Sequence, residues 1–227
     1  MTIRSARLWH GLTAVVAIAA LVLQLALVLN GGRVLDETDQ PDLWVRLVRF
    51  FAYFTIQSNI LVAVTATQLA RDPVRDGAAW RVVRLAAVVG ITVTGVVHFF
   101  LLRPLLDLDG ADWLADKLLH MAVPVVAVIG WALFGPRPRV ELREVKLAIC
   151  WPFAWLAVIL VAGGLSGWYP YPFLDHREEH GVAGVVVSCI GITVFFLLLF
   201  AGARSVDHRA RPAPDVWDPY RGGATQP

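Results

Sequence analysis

Along this chain the charged residues fall into clusters, and long uncharged apolar stretches run between them. Six stretches, 12–29, 50–70, 85–102, 118–134, 147–164 and 182–203, match the length of helix that crosses a bilayer, about 17–25 residues. The first follows Arg4 and Arg7, in the manner of a signal peptide. No small-residue cleavage site comes after it and five further spans do, so it is expected as a helix of the mature protein. The pattern predicts an all-α fold, a polytopic membrane helix bundle with six transmembrane helices over 1–203. The stretch 204–227, rich in Pro, Gly, Arg and Asp, is expected as a flexible cytoplasmic tail.

Composition agrees. Of 227 residues, 57% are hydrophobic and 17% charged, with a mean hydropathy of +0.62. A water-soluble globule of this size has too little interior to hide that much apolar surface. Intrinsic disorder, a disulfide-built secreted scaffold and a nucleic-acid binder are excluded. Cys150 and Cys189 lie in different apolar stretches near opposite surfaces, so no disulfide is expected. Only Lys117 and Lys146 break an all-arginine usage of basic residues, a bias that, with the Ala and Val richness, suggests a GC-rich bacterial genome.

The segments between stretches set the orientation. The N-terminal segment, the second and fourth loops and the tail carry 14 Lys and Arg, and the other three loops carry 6. Acidic residues run the other way, 7 against 11. By the positive-inside rule both termini are expected to be cytoplasmic, in a bacterial inner membrane. Trp9, Trp44, Trp113, Trp131 and Trp168 near span ends read as interfacial anchors.

Polar side chains inside spans are costly and point to function. Thr55, His98 and His120 come at depths of roughly 6, 6 and 9 Å below the outer edge, on three different helices. Thr55, Ser58 and Asn59 share a helix face, with Thr65 further down. Asp116 precedes His120 by four residues, a spacing at which a carboxylate fixes the imidazole tautomer, and Thr94 precedes His98 likewise. A hydroxyl, an imidazole and an acid are the parts of a nucleophile, its base and its orienter. The structural reading of the same residues is a Thr bonded to its own i−4 carbonyl and Asn and Ser holding helices together. His98 has no charged neighbour in helical register, which favours a structural role. His176-Arg177-Glu178-Glu179-His180 has the form of an inverted zinc-peptidase motif. The acids downstream, Asp207, Asp215 and Asp218, fall on the opposite side of the membrane, so a peptidase is rejected and a surface metal site remains the alternative.

Three runs carry a resemblance: Phe50-Phe51-Ala52-Tyr53-Phe54-Thr55-Ile56-Gln57-Ser58-Asn59, Leu118-Leu119-His120-Met121-Ala122-Val123-Pro124, and Trp168-Tyr169-Pro170-Tyr171-Pro172-Phe173-Leu174-Asp175. Together they resemble the androgen-induced-protein family of multi-span membrane proteins and its uncharacterised bacterial relatives. The resemblance covers the second to sixth spans. It implies a threonine hydrolase of fatty acid esters of hydroxy fatty acids, with Thr55 and His120 as its intramembrane Thr and His.

The expectation from these readings is an intramembrane lipid-ester hydrolase. Thr55 attacks the ester, His120 moves the proton, Asp116 orients the ring, and Asn59 or Ser58, with His98 beside them, binds substrate or the oxyanion. No cofactor and no metal is expected, and the partner is a membrane lipid or fatty-acyl ester rather than nucleic acid. The alternative is a non-catalytic lipid-binding or assembly protein. A haem or quinone protein would need His98 and His120 as an axial pair, and a transporter would need a charge near the midplane or a broken-helix pair.

Overall fold

The computed structural model describes residues 2–31 and 41–210, and among them every regular element is helical. α1 is Ile3–Leu29, α2 is Leu43–Ala52 and α3 is Phe54–Arg71. α4, Ala78–Val97, continues through a π turn at His98–Leu102 and a 3-10 turn at Arg103–Leu105. α5, Gly110–Lys117, passes through a second π turn at Leu118–Ala122 into α6, Val123–Phe134. α7, Leu142–Ala148, leads into α8, Cys150–Ser166, and a 3-10 turn at Pro172–Leu174 precedes α9, Gly181–Arg209. Among the described residues five helical segments are long and apolar enough to cross a membrane, and six if the bent pair α2–α3 counts as one span. The chain is an all-α integral membrane protein. Of the tail expected from 204, α9 takes the residues to Arg209, and 211–227 lie outside the described residues.

α4 is the centre of the bundle, packing on α3, α6 and α7, while α1 lies along α3. Small side chains make the second contact possible: Ala6, Ala14, Ala17 and Ala20 form the buried stripe of α1. Where no water competes, close backbone approach of this kind drives helix association. Trp9, expected as an anchor, bridges two helices, donating its Nε1–H to the Val126 carbonyl of α6 at 2.9 Å. At the other extreme, only 6% of the apolar window of α9 is buried against protein.

The second span is not the continuous helix expected over 50–70. The chain breaks at Tyr53, which is extended (φ −65°, ψ 127°), and α2 and α3 meet at 69°. Side chains from elsewhere hold the break. Trp155 of α8 donates its Nε1–H to the Ala52 carbonyl at 2.8 Å, and Gln57 donates its Nε2–H to the Phe51 carbonyl at 3.0 Å. Those carbonyls would otherwise end a helix without partners in an apolar setting. Phe54 fills the corner, stacked on Trp151 at 4.5 Å and edge-on to Trp155 at 5.1 Å.

Prolines lie just beyond both π turns. Pro124 follows His120 by four residues and has no N–H to give its carbonyl, and Pro104 likewise withholds a donor from Phe100. The ladder widens to i→i+5, with Val123 N–H bonding the Leu118 carbonyl and Arg103 N–H the His98 carbonyl. Gly95 lets α4 come close here, since a Cβ on it would stand 3.2 Å from the His120 carbonyl oxygen and 3.1 Å from Pro124.

Candidate active site

Each of the two histidines belongs to a π turn, and the close approach at Gly95 brings their rings face to face: 3.7 Å between centroids, 7° between planes. Asp116 lies against both. Its Oδ1 accepts the His120 Nδ1–H at 2.9 Å and stands 3.1 Å from His98 Nε2, though off the line of that N–H. Its Oδ2 accepts from Lys117 Nζ at 2.7 Å. Asp116 is 6% exposed, so two donors, the His120 ring and the Lys117 ammonium, hold its carboxylate in a dry place. The spacing argument found the Asp116–His120 contact. It missed His98 and Lys117, because the charge near His98 comes from another helix and Lys117 is a sequence neighbour with no helical register to betray it.

The other imidazole nitrogen faces Thr55. His120 Nε2 is 3.3 Å from Thr55 Oγ1, and with Nδ1 carrying the proton toward Asp116, Nε2 is the acceptor of the Thr55 O–H. The hydroxyl is free for this contact because of the break at Tyr53. Thr13, Thr65, Thr92 and Ser166 all donate to the carbonyl four residues back, as hydroxyls in apolar helices do. For Thr55 that residue is Phe51, which sits on α2 beyond the bend. The bond to its own i−4 carbonyl, expected of a structural Thr, is therefore not made here.

Tyr171 is the residue that sequence reasoning left out of the site. It is buried, on the loop between α8 and α9, with its hydroxyl 3.4 Å from Thr55 Oγ1, where its oxygen also accepts the Thr55 backbone N–H at 3.3 Å. That N–H lies in the first turn of α3 and has no intrahelical partner. Burial pushes the Tyr171 phenol above its ordinary value, so it stays an O–H donor at neutral pH. Aromatic contacts fix it: Tyr53 at 5.7 Å, Trp155 at 6.0 Å, and Phe173 stacked at 5.2 Å. The loop is tied down by Arg177, which binds the Asp175 carboxylate and donates to the Gly167 carbonyl. The guanidinium holds the Asp175 carboxyl below the usual carboxylate range. The signal for Tyr171 was present in the aromatic and proline run at 168–174, which packs inward rather than lying exposed.

The contacts of Asn59 and Ser58 point away from oxyanion binding. Asn59 donates its Nδ2–H groups to the Thr55 carbonyl at 2.8 Å and the Leu119 carbonyl at 3.4 Å, tying α3 to the second π turn. The Ser58 hydroxyl lies toward Gly90 of α4, where a Cβ would come within 3.3 Å of it. Thr94 is buried with its hydroxyl unpartnered.

Two clefts meet at the site, sharing Thr55, His98, Leu102 and Tyr171. One is apolar and walled by Phe153, Leu156, Cys189, Ile192 and Phe196 of α8 and α9. The other carries the polar groups Gln24, Asp112, Asp116 and His120. The ligating atoms of His98, Asp116 and His120 lie within 4.8 Å of one another, a set able to hold a divalent cation. The His176–His180 motif forms no such group among the described residues. Stacked rings 3.7 Å apart leave no room for a porphyrin between them, which removes the axial pair a haem reading needs. Cys150 and Cys189 are both free thiols. No protein-family model, no curated protein and no solved structure matches this chain.

Proposed function

We propose that this protein is an intramembrane lipid-ester hydrolase with Thr55 as nucleophile. One observation carries the reading: an unbroken relay from Thr55 Oγ1 through His120 to Asp116, at 3.3 and 2.9 Å, beside an apolar cleft. The resemblance of the three runs to the androgen-induced-protein family supports it independently. His120 Nε2 takes the hydroxyl proton as Thr55 Oγ1 bonds to the ester carbonyl carbon. The tetrahedral oxyanion is met by the Tyr171 O–H and, as it leaves the Tyr171 oxygen, by the Thr55 backbone N–H. Collapse breaks the ester C–O bond, His120 delivers its proton to the leaving alcohol, and an acyl-threonine remains. Water then attacks that acyl carbon, giving its proton to His120, and the fatty acid leaves as Thr55 recovers its proton.

The two clefts divide the substrate. The acyl chain takes the apolar side between α8 and α9, while the alcohol and the incoming water use the side of Asp112, Asp116 and His120. With both termini cytoplasmic, as the charge bias argues, the site lies in the outer half of a bacterial inner membrane. Fluorophosphonate labelling of purified protein tests the assignment. Wild type should be labelled and Thr55→Ala should not, and an unlabelled, inactive wild type would favour the non-catalytic lipid-binding reading.

A second reading rests on the donor geometry of His98, Asp116 and His120. A zinc-type ion held there would polarise the ester or its water. It would also occupy His120 Nδ1 and leave Nε2 protonated, ending its use as a base toward Thr55. Metal content of the purified protein and its turnover after chelation separate the two: chelation abolishes turnover under the second reading and leaves it unchanged, or raises it, under the first.

A further inference from the structure

Arg84 is 6% exposed, near the opposite end of α4 from His98, about 21 Å away along the helix. Among the described residues its one hydrogen bond is a long one, from Nη1 to Thr65 Oγ1 at 3.5 Å. Nε and Nη2 are buried with no partner, and among the described residues no carboxylate comes within ion-pair distance of it. Nε and Nη2 form one edge of the guanidinium fork. Arg81, one turn earlier on α4, uses that same edge to grip both oxygens of Asp76, at 2.6 and 2.7 Å. A buried guanidinium without a counter-charge is expensive, and its fork is shaped for two oxygens of one anion.

The surroundings supply the rest of a site. Arg84 lines a cleft with Arg81, Arg139, Trp80, Trp131 and Asp207. Trp80 has a buried indole N–H without a partner. Arg81 and Arg139 share Asp76, and the Asp207 Oδ2 is taken up by the backbone N–H groups of Arg139 and Val140, at 2.5 and 2.8 Å. Both Asp76 oxygens and the Asp207 Oδ2 are thus committed, and the Arg84 edge remains for an anion with several oxygens. Glu144, on α7 packed against α4, is a rival counter-charge because it too is buried with one oxygen unpartnered, yet among the described residues it makes no ion pair with Arg84.

We infer that this cleft is a binding site for a phosphate group, gripped side-on by Nε and Nη2 of Arg84 with the Trp80 N–H as a further donor. The site is independent of the hydrolase reading and lies at the other end of the bundle. The phosphate comes either from solution or from the headgroup of an anionic lipid, and two arms of one experiment separate these sources. Thermal unfolding is followed in detergent against inorganic phosphate, and in nanodiscs of phosphatidylglycerol against phosphatidylcholine. The midpoint of wild type should rise saturably by about 5 °C with bound anion. Arg84→Met, which removes an unpaired buried charge, should fold at least as well as wild type without anion and show no rise. Arg84→Lys keeps the charge but loses the fork, and should need about tenfold more phosphate. A rise with phosphate in detergent identifies the free anion, and a rise confined to phosphatidylglycerol identifies the lipid. An equal rise in Arg84→Met, or none in wild type in either arm, would overturn the inference. So would a loss of stability in Glu144→Gln without any anion response in wild type, because Glu144 would then be the counter-charge.

Discussion

Thr55 and Phe51 are four residues apart and belong to different helices. That separation gives Thr55 a hydroxyl which no carbonyl of its own helix claims, 3.3 Å from His120 Nε2. If this hydroxyl is the nucleophile, Thr55→Val, nearly isosteric, should cost orders of magnitude in turnover of a long-chain ester. Thr55→Ser, which loses one methyl worth about 1 kcal/mol of burial, should keep most of it. Turnover in proteoliposomes, with folding checked by gel filtration, measures both. A Val variant retaining more than about a tenth of wild-type rate would end the assignment.

The acid of the relay has two neighbours that set what an amide can do in its place. Lys117 holds Oδ2 and the imidazoles face Oδ1. In Asp116→Asn, Lys117 claims the amide oxygen and turns the NH₂ toward the rings, opposing the tautomer that His120 needs. Asp116→Asn should therefore be nearly as inactive as His120→Ala, and adding Lys117→Met should restore part of the rate. Equal activity of the single and double variants would argue against this orientation.

Tyr171→Phe removes the phenol, both as O–H donor and as acceptor of the Thr55 backbone N–H, while the ring contacts with Tyr53, Trp155 and Phe173 survive. Losing one oxyanion donor should lower kcat about 10²–10³-fold with little change in KM. A rise in KM at constant kcat would make Tyr171 a binding residue instead.

What the sequence revealed and what it hid divide along the line between local and tertiary causes. The apolar stretches, the common depth of Thr55, His98 and His120, and the Asp116–His120 pair were legible because each depends on length or on a spacing of four. The break at Tyr53 was not, since 50–70 is apolar throughout and the carbonyls released there are satisfied by Trp155, a hundred residues away, and by the Gln57 side chain. His98 looked unaccompanied for the same reason: its charged partner arrives on α5. One local signal went unused. A proline four residues after His120 and six after His98 marks where an α ladder cannot continue, and a π turn stands at each.

Acid should loosen the loop that carries Tyr171. Arg177 depresses the Asp175 carboxyl in the folded protein, so the pair stabilises the loop at pH above the unfolded carboxyl value, about 3.9, and this is lost as pH falls toward the folded value. Hydrogen exchange of residues 168–177 should therefore quicken, after correction for intrinsic rates, below about pH 4. In Asp175→Asn it should be fast already at pH 7 and insensitive to acid. A wild-type profile flat from pH 7 to 3 would contradict the pairing.

The orientation argued from basic residues is open to a direct check. With Cys150 and Cys189 replaced by Ala, Glu178→Cys should react with an impermeant maleimide in intact cells and Ala210→Cys should not. The reverse pattern would put Thr55 in the inner leaflet.

The near-nakedness of α9 determines how dose has to be counted. One wall of the apolar cleft belongs to a helix that the rest of the chain leaves uncovered on most of its sides. A molecule reaching Thr55 through that wall arrives sideways and never passes through water. Its occupancy then follows its mole fraction in the bilayer, so diluting the vesicles at fixed lipid composition leaves inhibition unchanged, whereas adding empty lipid relieves it.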